Sequence, residues 1–161
     1  MVLIIFEEIA MSDHTHNHNS SSNPWITSAQ ATLHCLSGCI IGEVAGLAIG
    51  VTLGLGVWLT IGLATALAYV SGFTLGVVPV MRREKKTFWQ ALKLIWIGEA
   101  VSIGVMEIAM NYADYQMGGM NAGSVFEPVF WYGIMVAVPA GFIAAWPVNW
   151  WLLRRNLKKC H

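Results

Sequence analysis

The stretch that decides the fold reads ATLHCLSGCIIGEVAGLAIG and occupies residues 31–50. It is apolar, and its length matches the roughly 20 residues that a helix needs to cross the hydrocarbon core of a bilayer. Glycine recurs in it at every fourth position, as Gly38, Gly42, Gly46 and Gly50. Small residues at this spacing let two helix backbones approach closely in lipid. The stretch therefore predicts a membrane-spanning helix that packs through a glycine face.

The same helix carries sulfur and ionisable side chains on its glycine side. At about 100° per residue, Cys35, Cys39 and Glu43 fall within roughly 80° of one another, and His34 lies at the edge of that half. The opposite side is aliphatic. We expect the aliphatic side to face lipid and the other side to face the interior of a helix bundle. Because an ionisable residue at membrane depth is costly, Glu43 marks a candidate functional site.

Three more apolar stretches follow this helix. The four predicted spans cover about residues 27–53, 57–81, 88–112 and 126–153. Long segments that mix Leu, Ala and Gly are typical of membrane helices rather than of the shorter alternating strands of a barrel. Short connections between helices imply antiparallel neighbours. The sequence thus predicts an all-α integral membrane protein with four antiparallel transmembrane helices.

Composition supports a membrane protein. Of the 161 residues, 56% are hydrophobic and 11% are charged, against about 45–50% and about 25% in soluble domains. Nine Lys and Arg residues balance nine Asp and Glu residues, so no net charge favours binding to nucleic acid. The chain has no phosphate-binding glycine loop with a lysine, no nucleophile elbow and no His-Glu-x-x-His motif. We expect neither a soluble enzyme nor a catalytic residue.

The cations are confined to two places, residues 82–93 and residues 154–159. With four spans, both places lie on one side of the membrane. Because Lys and Arg near span ends are retained in the cytoplasm, we expect both termini to be cytoplasmic and the protein to lie in the inner (plasma) membrane.

Outside the predicted spans the chain is polar. Residues 1–26 include His14, His16 and His18 and predict a disordered cytoplasmic tail, because this composition cannot bury a core. Residues 27–153 form the predicted four-helix domain, and residues 154–161 form a basic cytoplasmic tail. Cys160 and His161, within that tail, are expected to be a solvated chain end, and the alternative is that they pass metal to or from a carrier protein. Other expected partners are lipid, a second copy of the chain, or a larger membrane complex.

The third span repeats the pattern of the first. On a helical wheel, Glu99, Met106, Glu107 and Met110 share one side, and the other side is aliphatic. Counting about 1.5 Å per residue from the start of each span predicts two layers of polar groups. The layer nearer the cytoplasm contains His34, Cys35, Cys39 and Glu99. The other layer contains Glu43, Met106, Glu107 and Met110, with Asp114 at its mouth.

Thiolate, thioether and imidazole groups are the ligands that select copper(I) or zinc(II). The predicted metal ligands are His34, Cys35, Cys39, Glu43, Glu99, Met106, Glu107 and Met110. The cysteines are equally explained as small apolar residues in a close helix crossing, and the methionines as bundle core. Glu43 is also explained as a protonated carboxyl that hydrogen-bonds across the bundle.

Three functions follow from these interpretations. The first is an intramembrane copper or zinc site that serves metal transport or delivery. The second is a structural or accessory subunit that packs on a membrane complex through the glycine face. The third is a membrane thiol redox protein, which requires a disulfide that forms and breaks.

The run His34-Cys35-Leu36-Ser37-Gly38-Cys39, followed by Gly42-Glu43 and Gly46, resembles a known family. The family comprises small prokaryotic membrane domains catalogued as domain of unknown function 4396, and the similarity covers roughly residues 27–153. The resemblance implies a four-helix membrane domain and no particular activity.

Overall fold

The computed structural model describes residues 23–155, and within that range it is all-helical, with no β-strand. The predicted tail falls outside the described residues up to residue 22, as do Cys160 and His161. Four long helices and one short 3-10 turn make up the fold. They are α1 (Pro24–Thr52), α2 (Val57–Glu84), α3 (Phe88–Met117), the turn Gly119–Asn121, and α4 (Pro128–Arg154).

Local sequence explains where the helices begin and end. The Asn23 side chain accepts a hydrogen bond from the backbone amide of Trp25, at 3.2 Å, and so caps the start of α1. Thr87 and Gln90 form a capping box at the start of α3. α3 ends at Gly118, whose φ of +79° is a left-handed conformation that glycine adopts without strain.

Three of the helices are long and apolar enough to span a membrane: Pro24–Thr52, Val57–Arg82 and Pro128–Arg154. The remaining helix, α3, is 30 residues long and carries Lys93, Glu99, Glu107 and Asp114 among its apolar residues. The chain is thus a helical membrane protein.

The closest helix contact joins α1 to α2 along the glycine face. A Cβ atom added to Gly42 would lie 2.2 Å from the backbone nitrogen of Ala68, and one added to Gly46 would lie 2.2 Å from the Cα of Ala64. Such distances leave no room for a side chain larger than hydrogen. Ser71 adds a cross-helix bond, because its hydroxyl donates to the Gly38 carbonyl at 2.7 Å.

α1 also contacts α3 and α4, so three helices surround its buried side. The central part of the core contains residues of all four helices. A second cluster, which includes Leu47, Met120 and Phe130, fills the end of the bundle near the 3-10 turn. We call this the loop end. We call the opposite end, where the connection between α2 and α3 lies, the basic end. The functional side chains predicted from sequence lie between these two ends.

Candidate functional site

One face of α1 carries a polar side chain at each helical turn. These residues are Ser28, Thr32, Cys35, Cys39 and Glu43, and all are buried. Their spacing of three or four residues places them in one row along the helix. The row runs from the basic end into the middle of the bundle, over about 22 Å at 1.5 Å per residue.

At the basic end, the row is hydrogen-bonded to α4. The Asn149 amide donates to the Thr32 hydroxyl at 2.8 Å, and the Trp146 indole donates to the Ser28 hydroxyl at 3.0 Å. These polar groups therefore satisfy one another and hold α4 against α1. Sequence reasoning did not single them out. The sequence feature that could have identified Ser28 and Thr32 is their helical spacing ahead of Cys35.

Next along the row come two thiols. Cys35 and Cys39 are both buried, and neither forms a disulfide within the described residues. The Ser102 hydroxyl of α3 donates to the Cys35 sulfur at 3.6 Å. The Cys39 thiol lies next to the Cys35 thiol on one side and the Glu107 carboxyl on the other. α1 and α3 thus bring two thiols and a carboxyl group close together.

Two carboxyl groups meet beyond the thiols. Glu43 is 0% exposed and lies beside Glu107 of α3, within hydrogen-bonding reach. Neither carboxyl oxygen of Glu43 has a hydrogen-bond donor among the described residues, and one oxygen of Glu107 has none either. The other oxygen of Glu107 accepts from the Asn111 amide at 3.4 Å. Asn111 is a second residue that sequence reasoning missed, although it follows Glu107 by one helical turn.

The buried position of these two carboxyl groups limits the negative charge that they can carry together. Two carboxylates in contact repel each other, and a medium of low dielectric strengthens that repulsion. Glu43 and Glu107 influence each other electrostatically. The other groups that influence them are Asp114, Cys39 and Asn111, and all of these are acidic or neutral. The pair is stable only when a proton or a bound cation offsets its charge.

Two thioethers lie on the α4 side of the same core. Met106 and Met110 are fully buried and belong to one cluster with Cys35 and Cys39. Both pack against Gly141 of α4, where an added Cβ would lie 2.9 Å from the Met110 sulfur. The core therefore holds four sulfur-containing side chains in one cluster, and the Cys39 thiol lies next to the Glu107 carboxyl.

The remaining two predicted ligands are His34 and Glu99. His34 is exposed on the outer surface of α1. Glu99 is buried, but it packs on α2, where an added Cβ at Gly76 would lie 3.7 Å from its carboxyl carbon. Glu107, which the depth estimate placed in the other layer, lies beside Cys39. Within residues 23–155, no group of three or more His, Cys, Asp or Glu side chains is arranged to hold a metal ion.

A known protein family matches most of the chain. Residues 24–158 match the family described as domain of unknown function, DUF4396. The chain belongs to this family. The match takes in all four helices of this DUF4396 domain, and with them the buried thiols and carboxyls. No curated protein and no solved structure matches the chain.

Proposed function

We propose that this DUF4396 protein binds a soft transition-metal ion, most simply copper(I), inside its bundle and serves metal transport or delivery. One observation carries the proposal: Cys39 lies next to both the Cys35 thiol and the Glu107 carboxyl. The sulfurs supply soft ligands, and the neighbouring carboxyl pair supplies negative charge that a cation would offset.

The donor types favour copper(I) over zinc(II). Copper(I) is a soft ion, and a small number of thiolate or thioether ligands is enough to hold it. Met106 and Met110 lie in the same cluster as the thiols. Zinc in structural sites takes four ligands in a tetrahedron. Metal binding requires each thiol to lose its proton, and the Glu107 carboxyl is the adjacent group that can accept one.

The arrangement in the membrane is part of the same proposal. α3 is the fourth span: its carboxyls are turned into the bundle, while Ile97, Val101 and Ile108 are exposed on its outer side. Contacts between α1 and α2 support an antiparallel order, because Gly38 packs on Gly72 and Gly50 packs on Thr60. With the basic loop and C-terminus on one side, both termini face the cytoplasm of a plasma membrane.

An accessory subunit that packs through the glycine face is less well supported. Gly38, Gly42, Gly46 and Gly50 are covered by α2 of the same chain. A partner protein would need another surface of the bundle.

Metal analysis of the purified full-length protein tests the proposal. Wild type loaded anaerobically with copper(I) should retain the metal through gel filtration, and the Cys35→Ser/Cys39→Ser variant should lose it. Cys160→Ser is the matched control, because it removes the third thiol of the chain and should keep the metal. Equal, near-zero metal in wild type and in the double variant would refute copper binding.

A further inference from the structure

A groove opens on the outer surface of the bundle between α2 and α3. Its volume is about 630 Å³, which falls in the range of about 300–1,000 Å³ that ligand pockets cover. Tyr69 and Phe73 of α2 line one side, and the first three turns of α3, which include Trp89 and Trp96, line the other. Trp89 is 70% exposed and Trp96 is 53% exposed, so the groove is open to the surrounding bilayer.

Contacts between the two helices close the groove at its back and at its inner end. A Cβ added to Gly76 of α2 would lie 3.3 Å from Cδ1 of Ile95, which is buried behind the groove on α3. Nearer the middle of the bundle, the Tyr69 hydroxyl donates to the Ala100 carbonyl at 3.0 Å and joins the helices. The Tyr69 and Phe73 rings lie 6.0 Å apart and form one aromatic wall. The groove is thus a concave apolar surface with a fixed floor.

Lys93 is the one charged side chain that lines the groove among the described residues. It is exposed, and no acidic side chain within residues 23–155 forms a salt bridge with it. The ammonium of Lys86, in contrast, is paired with Glu84. Lys93 lies five residues, or about 7.5 Å, into α3 from the basic end. At that depth the stem of a lysine lies along apolar surface while its ammonium reaches the level of the lipid headgroups.

An apolar groove with a cation at headgroup level fits a phospholipid that carries a net negative charge. The aromatic walls match an acyl chain, and the ammonium matches the phosphate. Basic pockets between membrane helices bind anionic headgroups in this way. A zwitterionic headgroup carries its own ammonium, which competes with Lys93 for the phosphate.

We propose that this groove holds one anionic phospholipid of the leaflet at the basic end. The phosphate pairs with the Lys93 ammonium, and an acyl chain lies against Tyr69, Phe73 and Trp96. The inference does not depend on metal binding. It assigns a lipid partner to the part of the α2–α3 surface where the two helices stand apart.

Native mass spectrometry of the full-length protein tests the inference, because it resolves the binding of single lipid molecules. The protein is titrated in detergent with phosphatidylglycerol or with phosphatidylcholine of the same acyl chains, and the affinity for the first lipid is measured. Wild type should prefer phosphatidylglycerol about fivefold, as expected for one lysine beside an anionic headgroup. Lys93→Gln should lose this preference, and Lys93→Arg should keep it. Lys86→Gln is the matched control, because it removes a cation from the same end but outside the groove, and it should keep the preference.

A second pair of variants tests the position of the acyl chain. Thr74 is exposed and lines the groove, so Thr74→Trp should fill part of it and weaken the binding of both lipids about tenfold, because the filled space no longer admits the chain. Ile108→Trp is the matched control, because it adds an indole to the outer side of α3 away from the groove lining. It should bind both lipids like wild type. If Thr74→Trp does not fold, Val70→Trp fills the same groove.

Four results would overturn the inference. Equal affinity of wild type for the two lipids would show a groove that accepts any acyl chain. A preference that survives in Lys93→Gln, or one that Lys86→Gln also loses, would show diffuse attraction to the basic end. Unchanged binding by the groove-filling variant would place the lipid elsewhere. A dimer without bound lipid would assign the groove to a second copy of the chain.

Discussion

Glu43 occupies a costly position in the bundle, because a charged carboxyl at membrane depth is unfavourable by about 3 kcal/mol or more. The side chain is fully buried, and both of its oxygens lack a donor among the described residues. A residue that served only to join helices would be expected to have its polar atoms satisfied. A proton shared between Glu43 and Glu107, or a cation bound between them, would satisfy these oxygens.

Replacing Glu43 with Gln separates the two interpretations of this residue. Gln is nearly isosteric with Glu and stays uncharged, so the free energy of unfolding of the variant should equal or exceed that of wild type. Copper(I) affinity should fall about tenfold, or about 1.4 kcal/mol, because a neighbouring negative charge is lost. Chemical unfolding in detergent and competition with a copper chelator measure the two quantities. Lower stability with unchanged copper affinity would show a structural hydrogen bond instead.

The sequence predicted which residues of α1 face inward better than it predicted their neighbours. A helical wheel places Cys35, Cys39 and Glu43 on one side, and all three are buried. His34 falls at the edge of that side, and the structure exposes it. Edge positions cannot be assigned from one helix, because the width of the covered face depends on the helices packed around it.

The pairing between helices was the least predictable part of the site. The depth estimate started α1 at residue 27, whereas the helix begins at Pro24, which moves Cys39 about 4.5 Å further from the start of its helix. The remaining offset, which brings Cys39 beside Glu107, is a stagger of α1 against α3. Such a stagger is set by tertiary packing, so neither helix reveals it alone.

At the scale of elements, the contact between α1 and α2 determines how closely these two helices approach. Gly42 and Gly46 of α1 lie against the backbone of α2 at Ala68 and Ala64. Because lipid is as apolar as the helices, close van der Waals contact of this kind replaces the hydrophobic effect as the force that joins them. The α1–α2 contact in turn holds the thiols and Glu43 in place against α3.

Alanine at Gly42 tests the importance of this contact. The added methyl would overlap the Ala68 backbone, so Gly42→Ala should lower the free energy of unfolding by about 2 kcal/mol. Gly62→Ala on α2 is the matched control, because nothing lies within 4 Å of a Cβ added there. It should be neutral or stabilising by up to about 1 kcal/mol, since alanine favours helix. Equal effects of the two substitutions, measured by unfolding in detergent, would show that the α1–α2 contact is loose.

The number of helices and most of their bounds followed from hydropathy. The largest difference is at α3, which runs to Met117 rather than to about residue 112. Apolar runs mark where a helix can contact lipid, and they stop at the first polar residues. α3 continues because its last turns, which include Asn111 and Asp114, are buried against other parts of the bundle.

At the scale of the whole molecule, charge is distributed unevenly along the bundle. The described cations Arg82, Lys85, Lys86, Arg154 and Arg155 lie at or beside the ends of helices, and Lys93 lies in the second turn of α3. Glu43, Glu107 and Asp114, in contrast, are buried within the bundle. The sequence alone supplies this asymmetry. It cannot supply the contacts between carboxyls, because these depend on how the helices are assembled.

Reporter fusions test the proposed orientation. A green fluorescent protein fused after His161 should fluoresce, because that end is expected to be cytoplasmic. Alkaline phosphatase inserted at residue 123, in the connection between α3 and α4, should be active outside the cytoplasm. The reverse pattern, with phosphatase activity at the C-terminus, would contradict the orientation.

X-ray absorption at the copper edge tests the central claim most directly. In copper(I)-loaded full-length protein, we expect sulfur ligands around the metal and few coordinating atoms. Cys160→Ser should give the same spectrum, and Cys35→Ser/Cys39→Ser should lose the sulfur signal together with the metal. A spectrum that contains only nitrogen and oxygen ligands, or one that the double variant leaves unchanged, would contradict copper binding by the buried thiols.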